Sequence, residues 1–188
     1  FPYTTLFRSG KFNLPDNSVD LVFSNLLLQD LVDPRHFLQE CWRVLREGGL
    51  ITFSYLGPDT GKELRALDSG VIKLKNLLSP WDMHDMGDAL LAERFSDPVM
   101  DMEKLNITYS SADDLLADVR SFGGNPLKAR KAGLTGRRTG ESLRRALDGQ
   151  KNADGRISLT IEVVYGHAFR SLPKKTLAGE SIVHIYRP

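Results

Sequence analysis

The sequence predicts a doubly wound α/β fold, and three observations carry that prediction. A mostly apolar run of strand length, Val19–Ser24, precedes a helix signal at Asp33-Pro34 and a second apolar run at Leu50–Ser54. Strand, helix and strand in that order form a right-handed crossover, which makes the two strands parallel members of one sheet. Near the other end Ile157, Leu159, Ile161, Val163 and Tyr165 alternate cleanly, as a further strand closing the sheet would.

Each element has a local reason. Pro15-Asp16-Asn17-Ser18 is turn chemistry, and the unbroken apolar character of the run after it suits a strand buried on both faces. Asp33 can cap a helix whose first position is Pro34, where a missing N–H costs nothing. Leu38, Cys41, Trp42 and Leu45 recur at helical spacing, with Gly48-Gly49 as the expected stop. A helix on Leu64, Leu67, Val71 and Leu74 follows, weakened by Gly70, and then one capped by Asp82 that carries Met83, Met86, Leu90 and Leu91. Within Val99–Tyr109 the apolar set changes parity between Met102 and Leu105, as a one-residue bulge or a break into two pieces would require. Ser111 with Asp114 is a variant capping box for a helix on Leu115, Leu116, Val119 and Phe122, ending at Gly123-Gly124. Asn125–Gly155 is polar and basic with a short helix expected over Glu141–Leu147, and a last short strand is expected at Ser181–Tyr186.

Composition narrows the classes. At 188 residues and 41% hydrophobic the chain suits one globular domain, placed at residues 10–172 with a tail over 173–188. Phe1–Ser9 has no basic start or apolar run, so it is not a signal peptide; it resembles translated adapter sequence and is expected to be foreign to the fold. The net charge of +1 points to no partner, and the single Cys41 fits a reducing cytoplasm and packs on an apolar helix face. The longest apolar stretch, Leu21–Leu28, is too short to span a bilayer. No His, Cys or carboxylate spacing suggests a metal site, and no nucleophile–base pair or paired carboxylates stand out.

Ligands of open α/β sheets sit outside the carboxyl ends of the strands, which directs attention to Ser24-Asn25-Leu26 and Ser54-Tyr55-Leu56-Gly57. Small polar residues there can bond a nucleotide or amino-acid ligand, or merely satisfy loop backbone. Between Pro126 and Arg145 a second feature stands out: Lys128, Arg130, Lys131, Arg137, Arg138, Arg144 and Arg145 against Glu141 alone. Such a field attracts an acidic partner, although a solvated face and a nucleic-acid surface are the competing readings. The absence of aromatics between Gly124 and Tyr165 argues against single-stranded nucleic acid.

The segments LPDNSVDLVFSNLLLQ and RHFLQECWRVLREGGLITFSYLGPDTGKELR resemble the region after the cofactor motif in class I S-adenosylmethionine-dependent methyltransferases, a Rossmann-like fold. More narrowly, GPDT-x-KELR, Asp82-Met83-His84-Asp85, FSDPVMDMEKLNITY and EVVYGHAFR resemble the malonyl-acyl-carrier-protein O-methyltransferases of biotin synthesis, over about residues 12–172. A related group of methyltransferase-like proteins, including an arginine-hydroxylating assembly factor, shares parts of the match. The resemblance implies S-adenosylmethionine held by Ser24, Asn25, Leu26 and Gln29, a substrate face at Tyr165, His167, Arg170 and His84, and acyl carrier protein docked on Lys128, Arg130, Lys131, Arg137 and Arg138. His167 and His84 have structural alternatives, a strand-end hydrogen bond and a helix cap. The family's Gly-rich loop and acidic ribose ligand have no counterpart here, so the fold is expected to be incomplete and the isolated chain to bind the cofactor weakly or not at all. The implied reaction moves a sulfonium methyl to a malonyl carboxylate. A carboxylate of pKa ~4 is already ionised at neutral pH, so no general base is expected and alignment in a dry pocket carries catalysis.

Overall fold

The computed structural model describes residues 10–31, 33–67, 81–121 and 137–172. The expected leader and tail, the strand at Ser181–Tyr186, the helical positions Val71 and Leu74, and the stop at Gly123-Gly124 lie outside the described residues. In chain order the elements are β1 (Val19–Asn25), α1 (Arg35–Val44), β2 (Leu45–Leu56), α2 (Lys62–Ala66), α3 (Met83–Ala92), β3 (Phe95–Tyr109), α4 (Ala112–Ser121), α5 (Arg137–Asp148) and β4 (Ile157–Arg170). The strands form one sheet in the order β1-β2-β4-β3. β1 and β2 are parallel, while β4 runs antiparallel to both β2 and β3. The crossover read from the sequence is present, in a mixed sheet.

The alternation of side chains along β4 divides the core. Val164 and Ala168 join Ile51, Phe53 and Tyr55 of β2 under Phe37, Leu38 and Cys41 of α1 and Met86 and Leu90 of α3. Ile157, Leu159 and Ile161 point the other way, against Leu64, Leu115, Leu116 and Leu147. Helices therefore cover both faces, the arrangement of a doubly wound α/β domain. Two of the predicted caps, at Asp82 and Ser111, are in place, whereas α1 takes Pro34 as its N-cap and Asp33, one residue before it, still bonds the first turn. Asp33 Oδ1 accepts from Arg35 N at 2.9 Å, Asp82 Oδ1 from His84 N at 2.7 Å and Asp85 N at 2.8 Å, and Ser111 with Asp114 closes its box at 2.7 and 3.2 Å.

Three expectations need correction. Gly48-Gly49 does not end α1, which stops at Val44 and passes straight into β2. The carbonyls of Arg43 and Val44 are taken by the amides of Asn17 and Ser18 at 3.0 and 2.8 Å, so the turn before β1 caps the helix early. The glycines instead shape a bulge in β2, where Val19 faces Leu45 but Leu21 already faces Leu50. Gly48 has φ +74°, and a Cβ at Gly49 would lie 2.8 Å from the Arg46 carbonyl oxygen. Second, β3 does carry a bulge, but between Ser96 and Val99, with Asp97 at φ 51°. From Val99 to Tyr109 its register is unbroken, so the parity change reflects a strand whose first half packs Met100 and Met102 on one core and whose end packs Tyr109 on the other. Third, β1 is not buried on both faces, because Leu21 is 54% and Phe23 71% exposed.

Candidate functional site at the strand tips

The carboxyl ends of the two parallel strands meet at one rim, with Ser24 opposite Phe53 and Asn25 opposite Ser54. There the chain is locked by side chains. Leu26 N donates to the Ser54 carbonyl at 2.9 Å and lies 3.3 Å from Ser54 Oγ, which in turn donates to Asn25 Oδ1. This holds Leu26 in the left-handed region at φ 51°, which costs a non-glycine residue about 1–2 kcal/mol and marks the turn as a functional candidate. Gln29 bridges the two loops: its Nε2 donates to the Leu26 carbonyl at 2.5 Å and its Oε1 accepts from Leu56 N at 3.4 Å. Its amide thus holds backbone and reaches a ligand only through that loop. Ser24 is 6% exposed, and its Oγ has no hydrogen-bond partner among the described residues. An orphaned buried hydroxyl is uncommon and fits a ligand's polar group.

A second loop follows β2 at the same rim. The backbone carbonyl of Glu162 accepts from Gly57 N at 2.9 Å and Thr60 Oγ1 at 3.1 Å, and its carboxylate accepts from Asp59 N at 2.6 Å. A Cβ at Gly57 would lie 2.7 Å from that carboxylate, so glycine is what lets the loop close on β4. Lys104 Nζ reaches Asp59 at 2.7 Å and ties the loop to β3. Tyr55 Oη donates to the Asp82 carbonyl at 2.9 Å, which brings the start of α3 to the rim. Burial, reinforced by the charges of Asp82, Glu162 and Asp85, pushes its phenol well above the usual tyrosine range, so it is a hydrogen-bond donor at any physiological pH.

The sequence candidates are partly gathered here. Ser24, Asn25, Leu26 and Gln29 share the rim, and Tyr165 pairs with Ser54 in the same row. His167 stands opposite Thr52, farther from the tips, with its ring edge-on to Phe169 at 6.4 Å. His84 is exposed on α3 and its backbone N–H serves the Asp82 cap. Arg170 lies at the other end of β4, 8% exposed, over the Trp42 ring at 4.0 Å and bonded to Asn17 Oδ1 and the Leu45 carbonyl. Lys128, Arg130 and Lys131 lie outside the described residues; Arg137 opens α5 and Arg138 is exposed on it. Cys41 is buried in the core, where desolvation raises its thiol pKa well above the ordinary value. Among the described residues no group of three or more His, Cys, Asp or Glu could hold a metal ion, and no helix is long and apolar enough to cross a membrane.

Ser54 and Glu162 are the polar residues that organise the rim; the sequence singled out Ser54 only as a strand end, without a ligand role, and did not single out Glu162. Their signals were small: a serine opposite a serine-asparagine strand end, and one acid inside the apolar run Ile157–Val164. A direct test of the strained turn is Leu26→Gly. It is expected to leave thermal stability unchanged or raise it by up to about 1 kcal/mol, because glycine occupies φ > 0 without penalty while Leu26 packs little. Thermal unfolding monitored by circular dichroism measures it, and a clear destabilisation would mean the side chain is structural.

A methyltransferase-domain family profile matches residues 7–53. The chain is 43% identical over 170 residues to malonyl-acyl carrier protein O-methyltransferase 1 of Coxiella burnetii, covering 89% of this chain and 60% of that protein. It is 41% identical over 177 residues to the malonyl-acyl carrier protein O-methyltransferase of Laribacter hongkongensis, covering 92% and 59%. The chain thus spans about three-fifths of the length of these relatives. Among solved structures, the YcgJ protein of Bacillus subtilis superposes with a TM-score of 0.54 at 14% identity, covering 88% of this chain and 69% of that one. A candidate methyltransferase of Bacillus halodurans gives 0.55 at 14% identity, covering 87% and 69%. The fold is that of the class I methyltransferases, present in part.

Proposed function

We propose, from the premise that this chain is a homologue of the malonyl-acyl carrier protein O-methyltransferases, that it carries the strand-tip part of an S-adenosylmethionine site. The whole protein then methylates the free carboxylate of a malonyl thioester on acyl carrier protein, the step that opens biotin synthesis. The observation that carries the reading is the locked turn at Leu26, set beside the orphaned Ser24 hydroxyl at the tips of two parallel strands. Ser24 Oγ and the Asn25 carboxamide NH2, whose oxygen is already taken by Ser54, offer polar contacts to the cofactor's amino-acid end. Gln29 and Ser54 keep the two loops in register. Bound S-adenosylmethionine supplies an electrophilic methyl on sulfur. The acceptor carboxylate is ionised at neutral pH, so this chain needs no group to remove a proton. Tyr55 keeps its own proton.

The acidic carrier is assigned to α5. Its apolar residues Leu143 and Leu147 pack inward, while Arg138 and Arg145, two turns apart, are exposed on one side. Arg144 is engaged by Asp113 at 2.5 Å and contributes less. The test is transfer of labelled methyl from S-adenosylmethionine to malonyl-carrier protein by the whole protein, read as a base-labile ester. Label on another group, or no transfer, overturns the reading. Arg138→Glu with Arg145→Glu is expected to raise KM for malonyl-carrier protein about tenfold and to spare a small malonyl thioester. Equal effects on both substrates would remove the docking surface.

A further inference from the structure

One acid stands inside the apolar run of β4. Glu162 is 5% exposed, and Lys104, its partner across the β3–β4 ladder, is taken by Asp59 at 2.7 Å. Burying a carboxylate without an ion partner is costly, so the bonds it does make are informative. Outside the ladder, the described bonds of Glu162 all go to the loop after β2. Its carboxylate accepts from Asp59 N at 2.6 Å, its carbonyl from Gly57 N and Thr60 Oγ1, and its amide donates to Thr60 Oγ1 at 3.0 Å. Thr160, two residues earlier, repeats the pattern: its carbonyl accepts from Gly61 N at 2.8 Å, and its amide and hydroxyl donate to Glu63 at 3.0 and 2.5 Å. The loop thus runs on alongside β4 where the β2–β4 ladder has ended at Leu56. In the sheet order it lies between the β1 tip, with Ser24 and Asn25, and β3 with Lys104.

We propose that Glu162 is a positioning residue for methyl transfer, whose buried carboxylate holds Gly57–Thr60 as the wall that aligns the acceptor beside the cofactor at the β1 tip. On the methyl-transfer reading above, on which this rests, no general base is used. The rate then depends on how well the acceptor is held, and a wall that moves loses alignment. Three observations favour Glu162 as the anchor. Its bond to the Asp59 amide is short and charge-assisted. The packing leaves no slack, since a Cβ on Gly57 would lie 2.7 Å from the carboxylate. The other tether, Lys104 to Asp59, is exposed at both ends and contributes little.

Steady-state methyl transfer by the whole protein to a small malonyl thioester tests this, with the Michaelis constant of each substrate measured separately. Glu162→Ala is expected to lower kcat/KM for the thioester at least about tenfold and to leave KM for S-adenosylmethionine within about twofold. Glu162→Gln, which still accepts from Asp59 N through its amide oxygen, should recover most of that loss. Gly57→Ala keeps Glu162 but pushes its carboxylate aside, and should reproduce the thioester defect even where Glu162→Ala does not fold. Hydrogen exchange on the 188-residue chain reads the anchor without turnover. In Glu162→Ala the amides of Gly57, Asp59 and Gly61 should exchange faster, while those inside β2 stay protected. Equal losses for thioester and cofactor, full activity in Glu162→Ala, or a glutamine variant as impaired as alanine would each overturn the role of Glu162. A wild-type protein that transfers no methyl would instead overturn the reading beneath it.

Discussion

Gly166→Val is expected to destabilise the fold by about 3 kcal/mol, the upper end of the cost of overpacking a close-packed interior. Gly166 sits in β4 between Phe53 of β2 and Met100 of β3. A Cβ there would overlap Phe53 Cζ and lie 2.7 Å from Met100 Sδ. The Phe53 ring is 3% exposed and stacks on Tyr55 with centroids 6.2 Å apart, so it cannot swing away without moving the second ring and the Asp82 contact behind it. Strand propensity alone argues the opposite sign, because valine is among the best strand formers and glycine among the poorest. Urea denaturation of Gly166→Val decides between them. Adding Phe53→Leu should recover at least a third of the loss if that ring is the obstacle.

Arg43→Ala should cost about 2–3 kcal/mol at neutral pH, through the loss of charge-assisted hydrogen bonds in a half-buried setting. The guanidinium forks onto both Glu40 oxygens at 2.9 and 2.8 Å, donates to the Leu14 and Phe12 carbonyls at 2.8 and 3.0 Å, and meets Asp16 at 2.6 Å. It thereby staples residues 12–16, the approach to β1, against α1. The bond to Arg43 holds the Glu40 carboxyl below its ordinary range against the opposing effect of burial, with Phe12 N adding a second bond. A depressed folded pKa contributes stability that is complete above the unfolded value of about 4.3. That contribution disappears as pH falls through the folded value. The gap between wild type and Arg43→Ala should therefore be widest near neutrality and shrink below about pH 4. Paired denaturation curves at the two pH values test this; a gap independent of pH would place the energy in packing of the arginine stem.

How much was readable in advance follows from the range of each interaction. The strand–helix–strand unit and the caps at Asp82 and Ser111 appear where the sequence puts them, the caps resting on neighbours within four residues, while the cap of α1 falls one residue later, on Pro34. The end of α1 does not, because Asn17 and Ser18, across the fold, take the carbonyls that a downstream glycine was expected to serve. The bulge in β3 was not legible: the parity change that pointed to an irregularity between Met102 and Leu105 falls in unbroken register, since apolar parity reports which layer covers a residue as well as which face it occupies. At the rim, Ser24, Asn25, Leu26 and Gln29 could be named from their place after an apolar run. The left-handed Leu26 could not, as it depends on Ser54 reaching across from the neighbouring strand. Glu162 organises a loop a hundred positions earlier in the chain, a pairing that only the sheet order reveals. The bare face of β1 was hidden because an apolar residue reads the same whether or not its cover is present.

The place of β4 between β2 and β3 bears on how the chain folds as it is made. β3 joins the sheet through β4 among the described strands, yet the ribosome delivers β3, α4 and α5 first. Until the last of these strands arrives, Val99, Leu105 and Ile107 wait on a ribbon with two open sides. The central seam closes last and over long sequence separations, which makes for slow folding and a nascent intermediate prone to mispairing. Charged gatekeepers at Asp101, Glu103 and Lys104 then serve the growing polypeptide as much as the finished domain.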